Sequence, residues 1–188
     1  MNLLIDTHLN DVIIILSENG KIIREKKIFN EKQNSKLIMP TIKKILNKQN
    51  PSSISVVNGP GSFTGVRLGV TSAKTFASSL NVPIKTITSL ECLAVSTDVD
   101  EKIVAFSDNN GYYIGIFTSE NELIGEYEYL TNSEFEQFSK KYKVYTDINV
   151  DYEKVLKYLE TKSEINAHEV NPVYIKKLDV ENDKNSKY

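Results

Sequence analysis

The residues whose types and spacing could bind a ligand lie in a glycine-rich segment, NGPGSFTGVRLG, at positions 58–69. The segment follows an apolar run typical of a buried strand and precedes a run with helical spacing, where phosphate-binding loops often occur. A dinucleotide loop needs glycine where Thr64 stands, and a Walker loop needs lysine directly after Gly65, where valine stands. A hydrolase elbow needs glycine two residues before and after Ser62, and neither is present. The segment therefore predicts a sharp turn, with Ser62 or Thr64 capping a helix, and a structural turn is favoured over an anion site.

Ionisable side chains outside this segment form no recognisable catalytic or metal-binding set. His8 and His168 are far apart in the sequence, so each is interpreted as an isolated core or surface histidine. Cys92 is the single cysteine, which excludes an internal disulfide and a zinc site of the usual Cys/His kind. The opening segment has acids where a signal peptide would be apolar, and no run of about 18 apolar residues occurs. We expect a reduced, cytoplasmic, metal-free chain without a membrane span.

The helix expected after the glycine-rich segment carries a stripe of small residues. Gly65, Gly69, Ala73 and Ala77 follow one another at steps of four, which places them on one face. Because each interior glycine costs about 1 kcal/mol relative to alanine, close packing against this face is the expected compensation. The contact is either internal, against the preceding helix or the sheet, or intermolecular, and the spacing does not distinguish the two.

Hydrophobic periodicity predicts the elements that must position these residues. The first half predicts strands at 2–5, 12–16, 21–29, 54–57 and 83–87 and helices at 35–47 and 64–80. Pro40 is tolerable in the first helix only if it falls in the first turn, and Ser89 caps a further short helix. The second half predicts strands at 102–106, 112–118, 123–130 and 144–148 and helices at 132–141 and 152–162. Both halves follow the order βββαβα, which indicates a duplicated α/β unit. We expect lobes at 1–97 and 98–178 and a flexible polar tail at 179–188.

Composition supports a folded α/β protein with an uneven charge distribution. Of 188 residues, 40% are hydrophobic and 26% charged, which excludes global disorder and fibrous repeats. The net charge of −2 divides into +6 for residues 1–97 and −8 for residues 98–188. A basic half could lie against RNA or an acidic partner, but no aromatic and basic interleaving marks an RNA-binding module.

The run at 59–69, GPGSFTGVRLG, resembles the signature of the bacterial TsaB (YeaZ) family of tRNA threonylcarbamoyladenosine biosynthesis proteins. Its matching loop residues are Gly59, Pro60, Gly61, Ser62, Phe63, Thr64 and Arg67. Further similarity lies in Ile5-Asp6-Thr7, in residues 37–40, in Thr88-Ser89-Leu90 and in residues 172–175. The similarity extends over most of the chain.

The resemblance implies an actin-like, Hsp70-like ATPase (ASKHA) superfold. It implies a noncatalytic subunit, without a cofactor or metal, that binds and supports TsaD. TsaD transfers the threonylcarbamoyl group to adenosine 37 of tRNAs decoding ANN codons, TsaE joins the larger complex, and tRNA is contacted indirectly. It also implies that the helix with Gly65, Gly69, Ala73 and Ala77 binds the partner, so that Gly69→Leu or Ala73→Leu breaks the contact in a folded monomer, and that the chain forms a homodimer when alone.

Several positions depart from the family pattern. Asn34 stands where a histidine is usual, Asp108-Asn109-Asn110 stands where Asp-Ala-Arg is usual, and the sequence between Lys162 and Asn171 is short. Asp6 matches an acidic position of the superfold's phosphate region, but without a phosphate loop we interpret it as inherited strand-end structure. The competing hypothesis is an ATP-hydrolysing or peptidase-type enzyme of the same superfold, and a stand-alone RNA-binding module ranks last.

Overall fold

The first half of the chain forms a five-stranded sheet in a computed structural model that describes residues 1–9, 11–29 and 34–175. Its strands are β1 (Asn2–Asp6), β2 (Val12–Glu18), β3 (Lys21–Ile28), β4 (Ser53–Val57) and β5 (Ile84–Ile87), in the order β3-β2-β1-β4-β5. The pairs β1–β2 and β2–β3 are antiparallel, whereas β4 is parallel to β1 and β5 is parallel to β4. Asn19 and Gly20 both have positive φ between β2 and β3, as a tight hairpin requires. The expected tail at 179–188 lies outside the described residues.

Helices cover both faces of this sheet. The helices α1 (Asn34–Leu46) and α2 (Phe63–Leu80) share one apolar core with Leu3 of β1. On the other face, α3 (Ser89–Val95) and α5 (Tyr152–Thr161) share a second core with Leu4, the next residue of β1. Successive side chains of a strand point to opposite faces, so the three central residues of β1, Leu3, Leu4 and Ile5, are all apolar because the strand serves both cores.

The second half forms a smaller antiparallel sheet in the order β6-β7-β8, with β6 (Lys102–Ser107), β7 (Gly111–Phe117) and β8 (Glu128–Thr131). Helix α4 (Asn132–Lys141) follows and is capped by Thr131 and Glu134 in a capping box. This sheet packs on α3, with Phe117 and Val104 in a third core that includes Leu90. The two sheets are therefore joined through α3, and the actin-like α/β fold expected from the sequence is present.

Two predicted strands of the second half are wrong. The strand predicted at 123–130 begins only at Glu128, because Gly125 has a φ of 77° and Leu123 makes a single bridge to Phe117. The strand predicted at 144–148 is reduced to one parallel bridge between Tyr145 and Val104, and Asp147 has a φ of 54° two residues later. A positive φ ends the extended conformation that a strand needs. Apolar alternation alone did not reveal these backbone reversals.

Two local predictions about helix ends also need correction. Pro40 is the seventh residue of α1 and therefore lies outside the first turn. It withholds the N–H that would reach the Lys36 carbonyl, but both residues are exposed, so water can satisfy that carbonyl. The cap of α3 is Thr88, not Ser89, because the Thr88 hydroxyl accepts the Glu91 N–H and the Glu91 carboxylate accepts the Thr88 N–H.

Residues 165–175, here called the C-terminal strap, return from α5 to the first sheet. Ile165 pairs with Ile84 through two backbone hydrogen bonds at the edge of β5. The Lys74 ammonium of α2 donates to the Val170 carbonyl at 2.8 Å, and the Val173 N–H donates to the Asn58 carbonyl at 2.8 Å. The strap thereby fixes α2 and the glycine-rich segment from outside.

Candidate functional site

The glycine-rich segment is a tight turn whose polar backbone groups are largely used within the chain. Gly59 has a φ of 103°, and the Gly59–Pro60 peptide is cis. The Ser62 N–H donates to the His8 carbonyl at 2.6 Å, and the Ser89 hydroxyl donates to the Pro60 carbonyl at 2.6 Å. The Ser62 side chain caps α2 by accepting the Gly65 N–H. The geometry agrees with the predicted structural turn and leaves the Ser62 N–H unavailable to an anion.

The small-residue stripe of α2 packs against the protein's own sheet. A Cβ added at Gly65 would collide with the Thr7 carbonyl, and one added at Gly69 would collide with the Thr7 hydroxyl. That hydroxyl also donates to the Gly65 carbonyl at 2.6 Å. Ala73 and Ala77 are buried in the core shared with α1. The structure thus shows the internal contact that the sequence left open, and the partner-binding role of these four residues stays a prediction.

The outward side of α2 presents a cluster that we call the aromatic–arginine patch, consisting of Phe63, Arg67 and Tyr174. The Arg67 guanidinium lies 3.6 Å from the centre of the Phe63 ring, and its Nε donates to the Tyr174 hydroxyl at 2.7 Å. Phe63 is 45% exposed and Tyr174 53% exposed. The patch joins two residues of the glycine-rich segment to one from 172–175, so two stretches singled out in the sequence meet on one surface. Thr64, the alternative cap, is exposed beside it.

Asp6, at the end of β1, is the centre of a buried polar cluster. Its Oδ1 accepts from the His8 ring Nδ1 at 2.6 Å and from the His8 N–H at 3.1 Å. Its Oδ2 accepts from the Tyr152 hydroxyl of α5 at 2.6 Å. Both carboxylate oxygens are therefore engaged by groups from opposite ends of the chain.

These contacts determine the protonation of the cluster. Burial alone would raise the pKa of Asp6, but the interaction with His8 and the hydrogen bonds from His8 and Tyr152 outweigh it and hold that pKa below its ordinary value. Burial and the adjacent Asp6 carboxylate raise the pKa of Tyr152 well above its ordinary value. Asp6 is consequently an acceptor only, so the His8 Nδ1 carries the proton in their hydrogen bond.

His8 is a core histidine, one of the two interpretations from the sequence, but it is not isolated. His8 is buried, bonded to Asp6 through its ring and to Ser62 through its carbonyl, and therefore adjoins the glycine-rich segment. The Asp-x-His spacing at the end of a strand was the available signal. Tyr152 could not be found from spacing, because 146 residues separate it from Asp6.

The Asp6 cluster opens on a cleft of about 660 Å³ between the two sheets. Such a volume lies within the usual range for small-molecule sites of roughly 300–1,000 Å³. One side is formed by the ends of β1–β3, and the other by β6, β7, α4 and residues 146–150. The cleft is therefore a candidate ligand site.

The remaining candidate positions have structural partners. The Asp108 carboxylate accepts the backbone N–H groups of Asn110 and Gly111 and the Tyr129 hydroxyl, so the 108–110 segment is a tight turn. Burial raises the pKa of the Cys92 thiol well above its ordinary value, which disfavours the reactive thiolate. Within residues 1–9, 11–29 and 34–175, no group of three His, Cys, Asp or Glu side chains is arranged to hold a metal ion. In the same part of the chain, no helix has the length and apolarity to span a membrane.

The sheet order, the helices on both faces and the second sheet across a cleft define an α/β protein of the actin-like (ASKHA) class. The fold is that of YeaZ from Pseudomonas aeruginosa, with a TM-score of 0.76 at 16% identity over 93% of this chain and 99% of that one. A second Pseudomonas aeruginosa structure, described as an uncharacterized protein with similarity to peptidase YEAZ, gives the same values.

Sequence similarity specifies the family. A family model described as TsaD, tRNA N6-adenosine threonylcarbamoyltransferase, matches residues 27–114. The tRNA threonylcarbamoyladenosine biosynthesis protein TsaB of Bacillus subtilis (strain 168) is 37% identical over 130 residues, which cover 65% of this chain and 57% of that protein. In sequence and in fold the chain is similar to the TsaB (YeaZ) family, and its sequence match spans little more than half the length of this curated relative.

Proposed function

We propose that this protein is a noncatalytic subunit in the formation of N6-threonylcarbamoyladenosine at position 37 of tRNAs decoding ANN codons, and that it acts by binding and supporting TsaD. The observation that carries the proposal is the 37% identity over 130 residues to the Bacillus subtilis protein named for this pathway. In this proposal TsaE joins the larger complex, and tRNA is contacted by the complex as a whole. The complex acts in the cytoplasm.

The noncatalytic role is supported by the state of Asp6. An acid that binds a catalytic cation needs free carboxylate oxygens, whereas both oxygens of Asp6 accept hydrogen bonds from His8 and Tyr152. The Ser62 N–H of the glycine-rich segment is likewise engaged by the His8 carbonyl. The groups that would hold a nucleotide's cation and phosphates in an ATPase are thus occupied here by the chain itself.

The proposed TsaD-binding surface is the outward face of α1 and α2, which adjoin each other on the sheet. It includes the aromatic–arginine patch and the exposed Met39 of α1. Aromatic and arginine side chains are enriched among the residues that dominate interface energies. The small-residue stripe lies on the opposite, inward face of α2. Its small side chains let α2 pack closely against Thr7 and the sheet, which positions the outward face.

The test is co-elution with TsaD of the same organism in size-exclusion chromatography. Phe63→Ala and Arg67→Ala should each weaken the complex about tenfold or more, because hot-spot truncations cost about 2 kcal/mol or more. Tyr142→Ala is the matched control, since Tyr142 is an exposed aromatic, 51% accessible, that directly follows α4. Co-elution unchanged in both patch variants would contradict the proposed surface.

The pathway assignment has its own test. Depletion of this protein in the source cell should lower N6-threonylcarbamoyladenosine in total tRNA, and the wild-type chain should restore it. Normal nucleoside levels after depletion would contradict the assignment whatever the binding surface.

In the absence of TsaD, we propose that the same face pairs with a second copy of the chain, because exposed apolar surface favours self-association. Sedimentation should then show a concentration-dependent dimer that Phe63→Ala weakens. A monomer at all concentrations would contradict this part of the proposal.

A further inference from the structure

The cleft between the two sheets contains a buried imidazole nitrogen with no partner among the described residues. His8 is 8% exposed and lines the cleft. Its Nδ1 and backbone N–H are bonded to Asp6, and no described residue hydrogen-bonds its Nε2. Among the described residues, the fully buried polar atoms that lack a partner do not include Nε2. Nε2 is therefore accessible from the cleft.

The chemistry of this nitrogen follows from Asp6. In the tautomer whose single ring proton lies on Nδ1, toward the Asp6 carboxylate, the lone pair lies on Nε2. In this tautomer Nε2 is a hydrogen-bond acceptor, held in one orientation by a 2.6 Å bond on the other side of the ring. Its matching ligand group is an N–H or O–H donor.

Aromatic rings form much of the opposite wall of the cleft. Tyr112 of β7 and Phe135 of α4 are stacked with their centroids 3.6 Å apart and their planes 10° apart. The Phe106 ring meets His8 edge to face, with centroids 6.1 Å apart. Ring faces attract organic cations, and the effect strengthens when the cation is shielded from water.

The ionisable groups of the lining favour positive charge. Besides His8 and two tyrosines, they comprise three carboxylates and one ammonium, from Asp6, Asp11, Asp147 and Lys27. Lys27 lies near Glu25, 3.6 Å away, and over the Tyr152 ring, so its charge is partly balanced at the edge of the cleft. A nucleotide phosphate would meet this excess of carboxylates, which disfavours its binding.

We infer that the cleft binds a small organic ammonium ion with an apolar body, whose N–H donates to the His8 Nε2 while its body lies against Phe106, Tyr112 and Phe135. The Asp147 carboxylate supplies part of the attraction from residues 146–150. This inference goes beyond the proposed function, because TsaD binding involves the outward face of α1 and α2 and not the cleft.

The test uses the full chain and tyramine, an aromatic ammonium, as the probe. The protein has two histidines, so an imidazole ¹⁵N spectrum contains two rings, which His168→Gln assigns. Tyramine should move the His8 Nε2 resonance saturably and leave that of His168 unchanged. The neutral analogue 4-ethylphenol, which lacks the ammonium group, should bind about tenfold more weakly, and ADP should not compete.

Variants separate the ammonium contact from general effects of charge. Asp147→Asn should weaken tyramine binding at least about threefold, whereas Asp98→Asn should leave it unchanged. Asp98 is the matched control because it is an exposed acid paired with Lys154, away from the cleft lining. An unmoved His8 resonance, equal affinity for 4-ethylphenol, or displacement of tyramine by ADP would each overturn the inference. None of these readouts depends on TsaD, so they are independent of the proposed function.

Discussion

At the scale of single residues, Asp6 links the beginning of the chain to α5. Its two oxygens bind His8, which follows β1, and Tyr152 of α5. The sequence pointed to Asp6 as a strand-end acid but treated His8 as isolated. Partners two residues apart can be inferred once the strand end is known, whereas a partner 146 residues away depends on the tertiary fold.

Tyr152→Phe should lower the free energy of unfolding by about 1–3 kcal/mol, because it leaves one oxygen of the buried Asp6 carboxylate without a donor. Denaturant unfolding at neutral pH measures the change. Tyr142→Phe, at an exposed tyrosine that directly follows α4, should change stability by less than about 0.5 kcal/mol. Equal effects of the two substitutions would argue against the buried contact.

The pH dependence of stability should reflect the lowered pKa of Asp6. Since its folded pKa lies below the ordinary value of 3.8, the ionised carboxylate stabilises the fold above pH 3.8, and this contribution is lost as the pH falls through the folded pKa. The difference in free energy of unfolding between wild type and Asp6→Asn should therefore become smaller as the pH falls below 3.8. Unfolding measured from about pH 7 to about pH 2.5 tests this expectation, and a constant difference would contradict it.

At the scale of elements, α2 shows what periodicity predicts and what it leaves open. The helix predicted at 64–80 is present at Phe63–Leu80, and Ser62 caps it as expected. Spacing placed Gly65 and Gly69 on one face but could not say what covers that face, because helix spacing says nothing about distant neighbours. The covering atoms are those of Thr7, which the sequence identified only as part of a strand end.

Gly69→Leu should destabilise the monomer by about 1–3 kcal/mol or more, because the new side chain would overlap Thr7. Thermal unfolding of the isolated chain measures the change. This result differs from the sequence-based expectation that the substitution leaves the monomer folded and affects only the partner. Ser78→Leu, at an exposed position of the same helix, should have little effect on the melting temperature.

The wrong strands of the second half have a common cause. Residues 123–130 and 144–148 both contain apolar alternation, but Gly125 and Asp147 adopt positive φ. Glycine is a recognised marker of such reversals, whereas an aspartate in this conformation is uncommon and gives little warning. The strands β1, β2 and β3 were predicted from the sequence because turn residues separate them.

At the scale of the whole molecule, the two-sheet α/β architecture was predictable from the repeated order of elements. The family signature added the superfold, and the fold of Pseudomonas aeruginosa YeaZ agrees with it. The cleft was expected in outline, but its aromatic wall was not, because Phe106, Tyr112 and Phe135 come from three different elements. Side chains converge in this way only once the two sheets face each other.

The isolated chain should show no saturable ATP hydrolysis, because the Asp6 oxygens and the Ser62 N–H are bonded within the protein. Phosphate release measured with magnesium and ATP should equal that of Asp6→Ala. Hydrolysis that saturates with ATP and disappears in Asp6→Ala would revive the competing enzyme hypothesis.

Helix α5 and the C-terminal strap come from the second half of the chain but pack on the first sheet, so the two halves are not independent folding units. Leu156 and Leu159 cover the face of the first sheet that includes Leu4 and Ile15, and Val170 completes the core on the opposite face. A fragment ending after residue 97 would expose the apolar face with Leu4 and Ile15, while α1 and α2 would still cover most of the opposite face, and it should precipitate when produced alone. Gene fission or cassette exchange at that midpoint would therefore fail unless the later half were supplied in the same cell.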